Sequence, residues 1–562
     1  MGRRVLAGLR RPAPWLVGAL YAGVAVVGAQ VADRGAARLD GIGTWALILA
    51  LTPVGAVAVS LMAGLVLAPG RAPGAGSKPR RGAFVGRWAA IYACWMPLWL
   101  STYPGFFAYD AAAELNYVLE GPINSHHPPL HTWVLGYGVE GLHALLGQWN
   151  YAIAVYILAQ ALLVAACFAW VLGRLQTWGA PRWVIWGALA YYAVFPTVAL
   201  FALCSTKDVL FSTAVLTLMI LLVDFAKGRS GGRFWVLLGA VSAVVLLLRV
   251  NAVYGFVPFA VVALIGSRGR RRPLAIALGA PIALTLFATE VLYPHILHYL
   301  SPQPESKLSI PIQQLARVYN RSAATTTGQE RAAIEQWWSR LDCLRAYAPQ
   351  NSDPTKRGID NAEITARPGD FLRDWARIGL RHPGVYVNAT LANTYQGWYP
   401  GAMITGYNYP GGPAYLYSID GTSYFIFRAE PPGEMRQPSL LPAVQDFYLG
   451  LSKSPTVTRI PVVSWLFAPG AHLMALILVI ALAAARASGG RAMLLPAVML
   501  LCLTLTVFFG PVMLIRYFLA LFFAFPLLAA FLARAGAFAA APGAVGPAAA
   551  QAADAADAAA AA

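Results

Sequence analysis

Apolar runs long enough to cross a lipid bilayer recur along almost the whole chain. Most cover roughly 18–25 residues, the length that a helix needs to span about 30 Å of hydrocarbon. Charged residues make up only 12% of the 562 residues, whereas a typical soluble protein has about 25%. The sequence therefore predicts a mainly α-helical, polytopic membrane protein.

About twelve runs are predicted to span the membrane: 13–32, 44–69, 88–103, 150–173, 183–203, 208–226, 234–248, 252–266, 273–292, 462–485, 492–514 and 516–533. A thirteenth apolar segment, 131–147, carries His131, Glu140 and His143, and ionisable groups inside a membrane are costly. We expect this segment to lie at the interface or to re-enter the membrane on the outer side.

The basic residues set the predicted orientation. If 131–147 does not span, half of the 42 lysines and arginines fall in cytoplasmic loops and termini, as the positive-inside rule requires. If it spans, the basic loops 227–233 and 267–272 fall outside instead. We therefore predict a multi-pass plasma-membrane protein with both termini in the cytoplasm. The net charge of +18 then reflects membrane orientation rather than nucleic-acid binding.

This orientation divides the chain into four regions. Residues 1–292 form an N-terminal transmembrane region with an outer loop at 104–149, and 293–460 form an extracytoplasmic domain. Within that domain, helical stretches and a Gly/Pro/Tyr-rich part at 408–427 predict a mixed α/β structure. Residues 461–534 hold the last transmembrane helices, and the Ala-rich tail 535–562 is predicted to be disordered. The N-terminus resembles a signal peptide, but we expect its helix to be retained.

Three cations lie in short outer loops, where they oppose the positive-inside trend. Lys207 follows Ser205 and Thr206, which are plausible helix N-caps, and a helix N-terminus beside a lysine suits a phosphate group. Arg249 and Arg516 lie at the ends of spans, and arginine offers a fixed fork for phosphate oxygens. The alternative is that each side chain extends to lipid headgroups. Asp208, Asn251 and Tyr517 lie beside these cations in the sequence as supporting polar groups.

Carboxylates and histidines gather in the outer loop. Asp110 and Glu114 are four residues apart, and therefore share a face if the segment is helical. Asp110 is a candidate general base, or a metal ligand together with His126 or His127. The alternatives are that Asp110 caps a helix and that Glu114 is exposed. His127 precedes a proline and is therefore expected to be extended.

Six short motifs, in this order, resemble the GT-C superfamily of membrane glycosyltransferases, in particular bacterial members that use polyprenyl-phosphate sugars. The motifs are YDAAAEL (109–115), SHHPPLH (125–131), STKDVLF (205–211), LLRVNAVYGF (247–256), ESKLSIPIQQLARV (305–318) and LIRYF (514–518).

The resemblance implies a GT-C-like fold and an inverting transfer of a sugar from polyprenyl phosphate to a cell-envelope glycan, lipid or protein. By the same resemblance, Asp110 is the base, and Lys207, Arg249 and Arg516 hold the donor phosphate. His126 and His127 shape the site, while Gln313, Gln314 and Arg317 contact sugar or phosphate. Alanine follows Asp110 where related loops often carry a second acid, so a divalent metal remains an open alternative that the sequence does not indicate, and no cofactor is identified with certainty.

Three other functions fit part of the sequence. The main alternative is a transporter or flippase for a lipid-linked or anionic substrate, which would place polar groups near the bilayer midplane. The others are an enzyme that transfers a phospho-group and a non-catalytic envelope assembly protein. Most charges here lie at the ends of spans, which favours chemistry at the membrane surface.

Overall fold

The computed structural model describes residues 8–66, 81–267, 269–322, 324–404, 439–453, 460–485 and 491–533. Its α-helices are α1 (Pro12–Arg34), α2 (Ile42–Val66), α3 (Arg81–Ser101), α4 (Tyr109–Glu120), α5 (Pro129–Thr132), α6 (Gly138–Leu146), α7 (Trp149–Thr177), α8 (Arg182–Val194), α9 (Pro196–Ala202), α10 (Lys207–Ala226), α11 (Gly232–Leu248), α12 (Ala252–Gly266), α13 (Arg271–Phe287), α14 (Ser309–Arg321), α15 (Gly328–Glu335), α16 (Leu341–Arg345), α17 (Asp353–Lys356), α18 (Asn361–Ala366), α19 (Pro368–Arg381), α20 (Pro383–Trp398), α21 (Pro442–Lys453), α22 (Pro461–Phe467), α23 (Pro469–Ala485), α24 (Leu494–Leu505) and α25 (Leu519–Ala533). Short π-helical segments are Trp133–Tyr137 and Ala288–Ile296, and 3₁₀ turns are Pro304–Ser306, Arg491–Met493, Thr506–Phe509 and Ile515–Phe518.

Six helical segments of the described chain are long and apolar enough to cross a membrane. They are α1, α2, α7, α10, α13 with its π-helical continuation, and α25 with the 3₁₀ turn before it. The pair α8 and α9, bent by 53°, makes a seventh if it counts as one span. The prediction of a helical membrane protein is confirmed. The predicted twelve spans are not reached, because α11, α12, α23 and the segment Leu494–Phe509 are apolar but shorter.

Segment 131–147, which was predicted not to span the membrane, folds as three consecutive helical stretches: α5, the π-helical turn Trp133–Tyr137 and α6. It packs against α4 and α7. Its N-terminal end is buried, with His131 fully inside, whereas Leu145 near its C-terminal end is exposed. The segment is not among the six long apolar helices.

Helix α10 lies at the centre of the main core. Most of its side chains from Asp208 to Phe225 are buried, and it packs against α7, α11, α24 and α25. Lipid tails are as apolar as leucine, so close van der Waals packing rather than water exclusion stabilises such an interior. This packing fixes the two polar ends of α10 relative to the helices around it.

A second core lies in residues 304–398 and is built mainly from helices. Ile312, Leu315, Trp337, Leu344 and Phe371 are among its buried side chains. A capping box between Thr327 and Glu330 begins α15. The described part of the predicted extracytoplasmic domain therefore differs from the mixed α/β prediction, since its β pairing is limited to isolated bridges. Segment 408–427, for which strands were predicted, and the tail 535–562 lie outside the described residues.

This helical domain is joined to one end of the membrane bundle by hydrogen bonds. The Ser352 amide donates to the Pro511 carbonyl at 2.9 Å, and the Asn393 side chain donates to the Gly510 carbonyl at 3.2 Å. Arg317 donates to the Gly35 carbonyl, in the turn between α1 and α2, at 2.9 Å. The domain, this turn and the segment before α25 therefore meet at the same end of the bundle.

A different set of charges gathers at the other end of α10. Asp224 forms ion pairs with Arg174 and Arg229, the latter at 3.3 Å. The guanidinium of Arg270 lies 4.1 Å from the ring centre of Phe225. Asp224, Arg174 and Arg229 are called the Asp224 cluster below.

Candidate functional site

A short parallel contact between two chain segments builds the site. The amide of Phe106 donates to the carbonyl of Leu203 at 3.0 Å, and the amide of Ser205 donates to the carbonyl of Phe106 at 2.9 Å. The hydroxyl of Ser205 accepts from the Ala108 amide at 3.2 Å. This contact places the first turn of α4 beside the first turn of α10.

Asp110 lies in that first turn of α4, between two cations from distant parts of the chain. Its Oδ2 accepts a hydrogen bond from Arg516 Nη1 at 2.6 Å and another from Lys207 Nζ at 3.0 Å. Asp110 and Arg516 are only 4% and 3% exposed. A carboxylate held by one buried and one partly buried cation forms strong, charge-assisted hydrogen bonds with a fixed direction.

A second acid–base pair lies beside the first. Arg516 Nε is 3.7 Å from Asp208 Oδ2, and Arg249 Nη1 donates to Asp208 Oδ1 at 3.4 Å. The guanidinium carbons of Arg249 and Arg516 each lie 5.1 Å from the ring centre of Tyr517. The ring face of Tyr517 thus stabilises both cations, since an aromatic face attracts positive charge.

Glu114 and two histidines complete the cluster behind Lys207. Glu114 Oε2 accepts from His131 Nδ1 at 2.7 Å and from the Thr132 hydroxyl at 3.1 Å. Lys207 Nζ donates to His127 Nδ1 at 3.0 Å. His127 Nδ1 lies 3.8 Å from Glu114 Oε1, a buried oxygen that has no hydrogen-bond partner among the described residues.

We call this set the Asp110 cluster. It consists of Asp110, Glu114, His127, His131, Lys207, Asp208, Arg249 and Arg516. It holds three carboxylates, three permanent cations and two histidines at one end of the bundle.

Burial by itself raises the pKa of Asp110, but Arg516 and Lys207 offset it and hold that pKa well below its usual range. Burial also raises the pKa of Glu114, and His131 more than offsets this, so the net shift is downward. Both carboxylates are therefore ionised at neutral pH.

Burial, followed by the neighbouring Lys207, lowers the pKa of His127 to about 3. The ring is therefore neutral at pH 7, and its Nδ1 is free of a proton, because that nitrogen accepts from the ammonium of Lys207. His127 is thus a hydrogen-bond acceptor in this state rather than a third cation.

The structure brings together most of the residues proposed from the sequence, but not Asn251, His126 or the three candidate residues of the helical domain. Asn251 is exposed beside the start of α12. The His126 ring is exposed too and makes an edge contact with His127, with 5.2 Å between ring centres. Glu114, for which exposure was the alternative, is fully buried because its side chain points at His131.

Gln313, Gln314 and Arg317 make hydrogen bonds within the helical domain and to the α1–α2 turn. Gln313 donates to the Ala348 carbonyl at 2.5 Å, and Gln314 accepts from the indole of Trp375 at 2.7 Å. Arg317 donates to Gly35 and to the hydroxyl of Tyr347. All three are buried. These contacts stabilise the domain and give no support to the expectation that the three side chains touch sugar or phosphate.

Sequence reasoning missed His131, Thr132 and Thr206 as members of the site or its border. Thr206 is the N-cap residue of α10, as predicted, but its hydroxyl accepts from Arg516 at 3.3 Å and donates to Asp208 at 3.2 Å instead of capping the helix. The i, i+4 spacing of His127 and His131 was the available signal. This signal was weak because the i, i+4 spacing places two residues on one face only within a single helix, and α5 begins between the two histidines, at Pro129.

Within the described residues, no group of three or more His, Cys, Asp or Glu side chains has the arrangement of a metal site. A cavity of about 630 Å³ lies between the α1–α2 turn and the helical domain, and its lining includes Asp40, Glu330, Arg381 and His382. It is separate from the Asp110 cluster, because none of its lining residues belongs to that cluster.

The comparison with protein-family models gives one match. Residues 120–544 match the model described as "Family of unknown function (DUF6020)". The chain therefore belongs to this family. The matched range includes Lys207, Arg249 and Arg516 and begins after Asp110 and Glu114. No curated protein and no solved structure matches the chain.

Proposed function

We propose that this member of the DUF6020 family is a membrane glycosyltransferase of GT-C type. It would transfer a sugar from polyprenyl phosphate to a cell-envelope acceptor, with inversion at the sugar carbon. The observation that carries the proposal is a single buried carboxylate, Asp110, hydrogen-bonded to both Lys207 and Arg516. The proposed base thus accepts direct hydrogen bonds from the two cations that are proposed to bind the donor phosphate.

The proposed reaction assigns one task to each part of the cluster. The acceptor hydroxyl gives its proton to Asp110 while its oxygen forms the new bond to the sugar carbon. The bond from that carbon to the phosphate oxygen breaks, and both electrons leave with polyprenyl phosphate. Lys207 and Arg516 stabilise the added charge on the leaving phosphate, an electrostatic contribution that the fixed positions of these side chains favour.

Donor binding would also change the basicity of Asp110. With no donor bound, both cations are directed at Asp110 and its pKa is far below neutrality, which makes it a weak base. A phosphate that takes one or both cations removes part of this stabilisation and raises the proton affinity of the carboxylate. The base would therefore gain strength when the donor is in place.

The proposal includes twelve spans, with the Asp110 cluster on the extracytoplasmic side and both termini in the cytoplasm. Six long helices, the bent pair and four shorter apolar segments supply eleven crossings, and α3 is the remaining candidate. Support comes from the position of the Asp224 cluster, which lies at the opposite end of α10 and whose Arg229 belongs to the loop 227–233 that is predicted to be cytoplasmic.

A transporter or flippase for an anionic lipid is the second candidate. The bent pair α8 and α9 favours it, because discontinuous helices mark substrate sites in many transporters. The same cations would then bind a lipid phosphate without any bond being broken.

The deciding experiment uses Asp110→Asn in full-length protein reconstituted with a radiolabelled polyprenyl-phosphate sugar and envelope membranes. We expect transfer to fall by about 10²–10⁴-fold, since the amide cannot accept the proton. Donor binding should persist, because Lys207 and Arg516 are unchanged. Asp342→Asn, at an exposed carboxylate of the helical domain, is the matched control and should keep full transfer.

Two results would contradict the proposal. Full transfer by Asp110→Asn would remove the assignment of the base. If the wild-type protein moves the donor between leaflets and the donor is recovered intact, this result would favour the transporter instead.

A further inference from the structure

The charges of the Asp110 cluster balance before any ligand binds. Its carboxylates are Asp110, Glu114 and Asp208, and its cations are Lys207, Arg249 and Arg516. His127 accepts from an ammonium and is therefore neutral. His131 Nδ1 donates to Glu114 Oε2 at 2.7 Å. The three carboxylates and the three permanent cations of the ligand-free cluster thus balance one another.

A phosphodiester brings one negative charge into this balanced, buried site. An uncompensated buried charge is expensive, so the site needs either a new cation or a proton. The permanent cations already have carboxylate partners. The groups that can change their charge near neutral pH are the histidines.

His127 is the histidine whose surroundings change most when a phosphate enters. Its Nδ1 has one cation nearby, Lys207 Nζ at 3.0 Å, and two carboxylate oxygens, Glu114 Oε1 at 3.8 Å and Asp110 Oδ2 at 4.0 Å. The ring of Tyr117 on α4 has its centre 6.0 Å away, and the neighbouring ring of His126 lies 5.2 Å away.

A phosphate that draws Lys207 away removes the one cation that lies beside Nδ1. The ring nitrogen is then left facing two carboxylates. One of their oxygens, Glu114 Oε1, is buried and has no hydrogen-bond partner among the described residues, so it is available to accept from an imidazolium. Lys207 thus links the phosphate position to the protonation of His127.

We propose that binding of an anionic phosphodiester to the Asp110 cluster is coupled to the uptake of one proton by His127, whose Nδ1–H then donates to Glu114 Oε1. The inference rests on the proposed function in one respect, that the ligand is a phosphodiester held by Lys207 and Arg516. The proton comes from solvent and returns to it when the ligand leaves. His127 thereby acts as a positioning residue that keeps the buried cluster neutral.

The direction of the pH dependence follows from this coupling. In the free protein the pKa of His127 is about 3, and in the complex it is raised. Between the two values the complex holds a proton that the free protein lacks, so affinity falls as pH rises, by up to tenfold per pH unit. Above the raised pKa the affinity becomes independent of pH.

The test measures binding of farnesyl methyl phosphate to the full-length protein in nanodiscs by titration calorimetry. This diester has no ionisation of its own near neutral pH. At each pH from 5 to 8 the observed heat is plotted against the ionisation enthalpy of several buffers, and the slope gives the number of protons taken up. We expect a slope near one for the wild type at the lower end of this range.

His127→Asn is the informative variant, since its amide oxygen can still accept from Lys207 but cannot hold a proton. We expect the variant to bind with a slope near zero and an affinity that is independent of pH. His295→Asn, at an exposed histidine outside the cluster, should behave as the wild type.

The other outcomes separate this inference from the proposed function. Binding to the wild type without proton uptake, or an uptake that His127→Asn leaves unchanged, overturns the role of His127 and leaves the phosphate site intact. Absence of binding to the wild type overturns both.

Discussion

Arg516 joins the two carboxylates at the α4–α10 junction. It contacts Asp110 through Nη1 at 2.6 Å and approaches Asp208 through Nε at 3.7 Å, and Nη1 also reaches Thr206 at 3.3 Å. The planar guanidinium carries several N–H donors, so a single arginine side chain can approach Asp110, Asp208 and Thr206 at the same time. The residue type matters here more than the charge does.

We expect Arg516→Lys to weaken binding of farnesyl methyl phosphate by about ten- to a hundredfold, because one ammonium cannot replace a two-pronged contact. Calorimetry on the full-length protein measures this. Arg381→Lys is the matched control, since Arg381 is half-exposed and bonds Glu330 in the helical domain. Equal affinities of Arg516→Lys and the wild type would show that charge alone holds the phosphate.

Helix α10 carries a buried carboxylate near each end. Asp208 in its first turn lies in the Asp110 cluster, and Asp224 near its last turn lies in the Asp224 cluster. With a rise of 1.5 Å per residue, the two carboxylates are about 24 Å apart along the axis. Both ends are thereby fixed by ion pairs while the apolar middle packs in the core. The two clusters are too far apart to interact directly.

We expect Asp224→Ala to lower the free energy of unfolding by about 2–3 kcal/mol, because Arg174 and Arg229 lose a buried partner but remain partly exposed to solvent. Affinity for farnesyl methyl phosphate should be unchanged. Thermal unfolding in detergent and calorimetry measure the two quantities. A loss of affinity with unchanged stability would mean that the two ends of α10 are coupled.

At the scale of the whole molecule, the charged groups separate into two layers. One layer holds the Asp110 cluster, the helical domain and the α1–α2 turn, and the other holds the Asp224 cluster with its arginines. The apolar helices lie between them. This separation suits a protein whose chemistry takes place at one membrane surface.

We expect the two layers to face opposite sides of the membrane. In a variant in which the natural cysteines are replaced by serine, Asp342→Cys should react with an impermeant maleimide added outside intact cells. Arg233→Cys, an exposed position in the first turn of α11, should react only after the membrane is opened. The reverse pattern would invert the proposed orientation and place the Asp110 cluster in the cytoplasm.

The sequence by itself determined the class of protein and the choice of candidate residues. Runs of apolar residues and the distribution of arginine are local properties, since each helix must match the bilayer on its own. Asp110, Lys207, Arg249 and Arg516 were identifiable because charges are rare in such a chain.

Only the tertiary structure decided which of these residues meet. Asp110 pairs with residues 97 and 406 positions away, and the pairing depends on the backbone contact of Phe106 and on the packing of α10 against α25. Burial of Glu114 against His131, and of Gln313 inside the helical domain, depends likewise on contacts between distant segments. Periodicity along one segment carries no information about which segments are its neighbours in space. The sequence therefore identified the charged candidates, whereas their pairing became known only from the tertiary structure.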